Sequence, residues 1–250
     1  MPDSRRLLIL GGTGEARQLA DSLAGRDGLT VITSLAGRTV APLRPAGELR
    51  IGGFGGAEGL AGYLRSAKID LVIDATHPYA AAISRHAVAA AEATGRPLLR
   101  LERTAWQAEA GDHWIEVDSL AAAARAAPSL GRRAFLTIGI KELAAFAEVP
   151  DIWFLVRLVA APEEPPPLLS HSIILGRGPF ATEAERELLR EHRIDLIIAK
   201  NSGGTATHGK IVAARELGLP VMLLRRPPLP PAAAAGSIEA AVGWVGKLLG

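Results

Sequence analysis

The feature that most limits what this chain can fold into is a repeated local pattern: a short apolar run ends in glycine or small polar residues, and a helical stretch follows. Leu7-Leu8-Ile9-Leu10 leads into Gly11-Gly12-Thr13-Gly14-Glu15, and Leu71-Val72-Ile73 leads into Asp74-Ala75-Thr76-His77-Pro78-Tyr79. Apolar runs alternating with amphipathic stretches form an α/β protein with parallel sheets. In such sheets ligands bind outside the carboxyl ends of the strands. Both motifs are therefore predicted to line one crevice, the first shaped for a pyrophosphate and the second for a reacting group. The chain reads as an enzyme rather than a scaffold.

In the first half the pattern predicts strands at 6–10, 30–34, 48–51, 71–74 and 97–101, with helices at 14–24, 57–66 and 80–94. In the second half it predicts strands at 113–117, 133–137, 152–156, 172–175, 194–199 and 221–224. The helices there fall at 119–127, 140–147, 182–191, 207–217 and 237–249. The polar stretch 102–112 is the expected connector, and the prolines at 162–167 and 227–231 mark surface loops. Two stacked parallel-sheet α/β domains follow, residues 1–103 and 104–250, with a cleft between them. Thr182 and Glu185 have the spacing of a capping box and are given that local role.

With 250 residues and 48% hydrophobic content, the chain can bury a sizeable core. It has no cysteine, which excludes disulfides, thiolate metal sites and a cysteine nucleophile. The six histidines are scattered without ligand spacing, so no metal is expected. A net charge of +2 is too mild to argue for nucleic acid. No apolar run is long enough to span a membrane. Residues 1–6 enter a strand without a leader-like segment, so a cytoplasmic location is expected. The oligomeric state is open, with a monomer as the working expectation.

Gly11, Gly12, Thr13 and Gly14 follow a strand and open a helix, where glycines admit a phosphate and the helix offers free N–H groups. The fit to G-x-G-x-x-G is partial, since Arg17 stands at the third glycine position. Enzymes that use NAD place an acid near the end of the second strand. Here Ser34 and Arg38 stand there instead. A guanidinium suits a 2′-phosphate, so NADPH is predicted over NADH. The Gly52-Gly53-Phe54-Gly55-Gly56 loop is a second place of close backbone approach. His77 lies at a strand end before Pro78, which holds it extended and aims it into the crevice. In the second half, three more strand ends carry Thr137-Ile138-Gly139-Ile140-Lys141, Gly176-Arg177-Gly178-Pro179-Phe180 and Lys200-Asn201-Ser202-Gly203-Gly204. Backbone donors beside cations suit a ligand with several carboxylates.

Taken together, G-G-T-x-E-A, S-x-A-G-R, D-A-T-H-P-Y-A, T-x-G-x-K, G-P-F-x-x-E and K-N-S-G-G, in this order over about residues 5 to 227, resemble the precorrin-6A reductase family of cobalamin biosynthesis. The resemblance implies two Rossmann-like domains with the active site in the cleft between them, and NADPH-dependent reduction of one double bond, taking precorrin-6A to precorrin-6B. The partner is then a polycarboxylate tetrapyrrole. On this reading Gly11, Gly12, Thr13, Gly14, Glu15, Ser34, Arg38, Gly53, Asp74, Ala75 and Thr76 serve the cofactor. His77, Pro78, Tyr79, Lys141, Arg177, Lys200, Asn201, Ser202 and Gly203 serve the substrate, and His77 is the candidate proton donor. Family members often carry Phe where this chain has Tyr79, so its hydroxyl is given no catalytic role. The alternatives are a cobalt-precorrin-6A reductase of the anaerobic pathway, or an NADPH-binding sensor without turnover. A short-chain-type reductase is disfavoured, because neither Tyr63 nor Tyr79 has a Lys four residues on.

Overall fold

In the computed structural model, which describes residues 4–37 and 44–249, the apolar run at 7–10 forms a central strand. β1 (Arg5–Leu10) leaves Leu7, Leu8 and Ile9 with no exposed surface. That burial requires cover on both faces of the sheet, and each such side chain contributes ~1.5–3 kcal/mol. α1 (Gly14–Leu23) turns Ala16, Leu19, Ala20 and Leu23 toward Leu7 and Ile9. β2 (Leu29–Leu35), β3 (Glu48–Ile51), α2 (Gly56–Ser66), β4 (Leu71–Asp74), α3 (Ala81–Thr94) and β5 (Leu98–Leu101) follow. α2 and α3 cover the opposite face, where Leu60, Leu64, Ala87 and Ala90 meet Leu8 and Leu10. The alternation of partners along β1 is the two-residue period of a strand.

A second unit spans 104–226. It contains β6 (His113–Val117), α4 (Leu120–Ala126), β7 (Arg133–Thr137), β8 (Trp153–Leu158), β9 (His171–Leu175), α5 (Thr182–Glu191), β10 (Leu196–Lys200), α6 (Gly209–Leu217) and β11 (Pro220–Leu224). All pairings are parallel, in the order β6-β11-β10-β7-β8-β9. The strand order reverses between β7 and β10, so the loops after these two strands flank the switch point.

Several expectations are corrected. Residues 140–146 form a 3-10 helix rather than an α-helix. Its two fully buried anchors, Leu143 and Phe146, are three residues apart, which suits three residues per turn. Ile194 closes α5, its N–H bonding Leu189 O, so β10 starts two residues late. The proposed Thr182 cap is absent: Ala181 is the N-cap, without a side-chain bond. Glu185 is drawn inward instead, to Arg157.

The second domain also ends earlier than 250. Residues 227–250 belong with the first unit. β12 (Ala233–Ala235) pairs in parallel with β5, and α7 (Ile238–Leu249) buries Ala241 and Val245 in the cluster around α1. The first sheet then runs β3-β2-β1-β4-β5-β12, the 3-2-1-4-5-6 order of a dinucleotide-binding fold, with its sixth strand supplied from the chain's far end. Among the described residues, no helix is long and apolar enough to cross a membrane.

Candidate active site

In the first unit the strand order reverses between β1 and β4, and the turns after these strands are tied together. The Thr13 hydroxyl accepts from Ala16 N at 3.1 Å, capping α1, and donates to Ala75 O at 2.9 Å. Ala75 N in turn bonds Leu10 O. Thr13 and Ala75 thus hold the two turns in register. Gly11 packs its α-carbon against Thr33 and Leu35, leaving only 3.1 Å for an added β-carbon. Gly12 has φ +115°, a conformation side chains rarely adopt, and β-carbons added at Gly12 or Gly14 would meet nothing within 4 Å. The turn is an open cradle at the head of α1, whose first N–H groups lack intrahelical partners. Its geometry fits a pyrophosphate. Glu15, expected at the cofactor, pairs with Arg103 at 3.2 Å.

Asp74 is 2% exposed and builds the second motif from within. Its Oδ1 accepts from Thr76 N and from the Thr76 hydroxyl at 2.6 Å, and Arg100 Nε lies 4.0 Å from Oδ2. The carboxylate therefore shapes the loop that carries His77. The half-buried His77 ring accepts Tyr79 N–H on Nδ1 at 3.3 Å, which leaves the neutral ring's proton on Nε2. The two rings are tilted, with centroids 5.7 Å apart. Pro78 and Tyr79 are half-buried on the same turn.

Ser34 is 5% exposed at the end of β2, and Arg38 lies outside the described residues. Sequence reasoning missed Arg50. In register it stands directly beside Ser34, and its Nη1 donates to the Ser34 hydroxyl at 3.3 Å. Arg50 also donates to Gly52 O and to Gly53 O, and its guanidinium lies 3.8 Å over the Phe54 ring and 5.1 Å from the Tyr63 ring centre. Gly53 is exposed and takes part through its carbonyl.

In the second unit the switch-point loops are joined by Lys200, whose Nζ sits 2.6 Å from the Glu142 carboxylate. Glu142 also accepts Gly139 N–H at 2.7 Å. Lys141, in the 3-10 helix 140–146, and Arg177, on the loop after β9, are both exposed. Ser202 turns back on Lys200, its N–H bonding Lys200 O. Asn201 is a clamp: its amide accepts Trp106 N–H at 2.8 Å and donates to Trp106 O at 3.0 Å. Gly203, at φ +67°, lies so close to Thr104 O that an added β-carbon would overlap it. Both residues hold the 104–106 segment, a role their spacing alone does not reveal.

Behind this edge lies a buried charge cluster. Glu185 and Arg157 form a two-bond pair at 2.6 and 3.0 Å, and Arg157 stacks 3.9 Å over Phe180. The Lys210 ammonium donates to Thr207 O at 2.7 Å and lies 5.1 Å from the Trp106 ring centre. Burial lowers its pKa to about 8, against the attraction of Glu185. Burial, with Arg215 adding to it, also lowers His208. Burial tends to raise Asp112, but the hydrogen bond from Arg215 wins and its pKa is lowered.

The family model for the precorrin-6x reductase CbiJ/CobK matches residues 6–246. This chain belongs to the precorrin-6x reductase family. The precorrin-6A reductase of Rhodococcus erythropolis is 50% identical over 97% of this chain and 98% of that protein. A solved structure titled CobK precorrin-6A reductase has a TM-score of 0.91 at 45% identity, covering 97% of this chain and 96% of that one. The cobalt-precorrin-6A reductase of Priestia megaterium is 30% identical over 88% of this chain and 90% of that protein. Membership in a family of reductases agrees with the enzyme reading and with two parallel-sheet α/β domains.

Proposed function

We propose that this protein reduces metal-free precorrin-6A to precorrin-6B with NADPH as the electron donor. The observation that carries the reading is the open glycine cradle of Gly12 and Gly14, set at the switch point of a 3-2-1-4-5-6 sheet. Identity of 50% to a precorrin-6A reductase, against 30% to a cobalt-precorrin-6A reductase, favours the metal-free ring.

The residues divide the work by chemistry. Gly11, Gly12, Thr13 and Gly14 hold the pyrophosphate, and Ser34 and Arg38 are assigned to the 2′-phosphate on the ground of the sequence. When bound, the dihydronicotinamide supplies a hydride equivalent to one ring carbon; the orientation and the electrostatics come from the protein. Asp74 and Thr76 fix the turn that presents His77. We assign His77 the donation of the proton required at the neighbouring carbon; it acts as the imidazolium, in which Nδ1 also carries a proton and releases the Tyr79 N–H. Lys141, Arg177 and Lys200 meet the acetate and propionate groups of the macrocycle.

The test compares kcat/KM for metal-free and cobalt-bound precorrin-6A under anaerobic conditions, with NADPH and NADH in parallel. The account expects the metal-free ring with NADPH to be fastest. Faster turnover of the cobalt form moves the protein to the anaerobic route. Nucleotide binding without turnover of either ring makes it a sensor.

A further inference from the structure

We infer that Arg50, with the Ser34 hydroxyl beside it, forms a phosphomonoester subsite that recognises the 2′-phosphate of the nucleotide. The inference rests on the NADPH reading above and adds a specificity-determining residue to it.

Three observations carry it. The first is charge. In the same unit Arg6 pairs with Glu48, Arg17 with Asp21, Arg96 with Asp70, Arg100 with Asp74 and Arg103 with Glu15. Among the described residues, Arg50 makes no ion pair. Its partners are a hydroxyl, two carbonyls and two ring faces, none of which neutralises it.

The second is rigidity. A guanidinium held 3.8 Å over the Phe54 ring and fastened to the Gly53 carbonyl at 2.9 Å is preorganised. The planar fork loses little freedom when it meets a phosphate. The same bonds shape the Gly52–Gly53 turn, where added β-carbons would meet nothing within 4 Å among the described residues.

The third is position. In this strand order the carboxyl end of the second strand faces the adenosine ribose, where an acid binds the 2′-hydroxyl of NAD. Ser34 occupies that end, and Arg50 stands beside it on the neighbouring strand. An acid there repels a 2′-phosphate. A cation with a hydroxyl attracts one, through charge-assisted hydrogen bonds.

The test is binding of 2′,5′-ADP and 5′-AMP, measured by calorimetry on the full-length protein and on R50M. Wild type is expected to prefer 2′,5′-ADP. R50M should lose between about tenfold and about a hundredfold for 2′,5′-ADP, the worth of one hydrogen bond to a charged group. Its affinity for 5′-AMP should stay within about threefold of wild type, because the pyrophosphate cradle is untouched. Equal losses for both ligands would overturn the inference and leave Arg50 as a clamp on the glycine loop. So would no loss for either. If wild type itself does not distinguish the two ligands, the NADPH reading fails rather than the role of Arg50 within it. Should R50M not fold, R50K keeps a cation and removes the fork. It should weaken 2′,5′-ADP selectively, and unchanged selectivity would again overturn the inference.

Discussion

Replacing Lys210 with methionine should stabilise the protein at neutral pH and below, and no longer at pH 10. The ammonium is enclosed, with burial lowering its pKa from 10.5 to about 8 despite Glu185 nearby. Because the folded value lies below the unfolded one, the unfolded chain binds the extra proton between those two pH values. Stability therefore rises with pH across that window. Below it the cost of keeping the buried charge is complete, about 3 kcal/mol at pH 7 from ~1.4 kcal/mol per pH unit. By pH 10 only about 1 kcal/mol of that cost remains. Methionine keeps the stem and removes the charge, but it leaves Thr207 O short of a donor, which costs about 1 kcal/mol. The variant should thus gain about 2 kcal/mol at pH 7 and about nothing at pH 10. Urea unfolding of both proteins at the two pH values, followed by tryptophan fluorescence and circular dichroism, reads the difference. A variant less stable than wild type at pH 7 would refute the reasoning, because the lysine would then be held by attraction to Glu185. A difference independent of pH would refute it equally.

Three further outcomes follow from the same geometry. E185Q leaves Arg157 and Lys210 facing each other without a buried anion and should cost about 3–5 kcal/mol in the same unfolding assay. A cost below about 1 kcal/mol would mean that the pair contributes little. N201A loses both bonds to the Trp106 backbone and should lower stability by about 2–3 kcal/mol, while KM for the macrocycle stays within about threefold. A large rise in KM at unchanged stability would instead make Asn201 a substrate ligand. H77A should lower kcat by about a hundredfold or more, as expected for loss of a general acid. Turnover within about threefold of wild type would assign the proton to solvent or to the substrate's own carboxyls.

The layers of both sheets were legible because the strands at their centres carry apolar runs, at 7–10, 71–73, 134–136 and 196–199. The turn after β1 was legible because Gly11 to Gly14 directly follow one of them. β12 was not, since Ala233-Ala234-Ala235 has none of the branched or aromatic residues that mark a strand. It is a strand because β5 offers it an edge. Arg50 was hidden for a related reason. A search along the end of β2 looks forward in sequence, while the cation arrives sideways through the β2–β3 register. In the K-N-S-G-G segment the glycines suggested a ligand loop. Gly203 is needed there because the Thr104 carbonyl leaves no room for a side chain. The spacing of Thr182 and Glu185 satisfied a local motif, yet a buried arginine 28 residues away took the carboxylate.

The central claim is that this fold carries electrons from a nicotinamide nucleotide to a carbon of the precorrin ring. Anaerobic turnover of metal-free precorrin-6A with NADPH deuterated at both C4 positions tests it most directly, with the product analysed by mass spectrometry. The account predicts one deuterium in each precorrin-6B molecule, with one NADPH consumed. Product without deuterium, or nucleotide oxidation without a change in the ring, would contradict it.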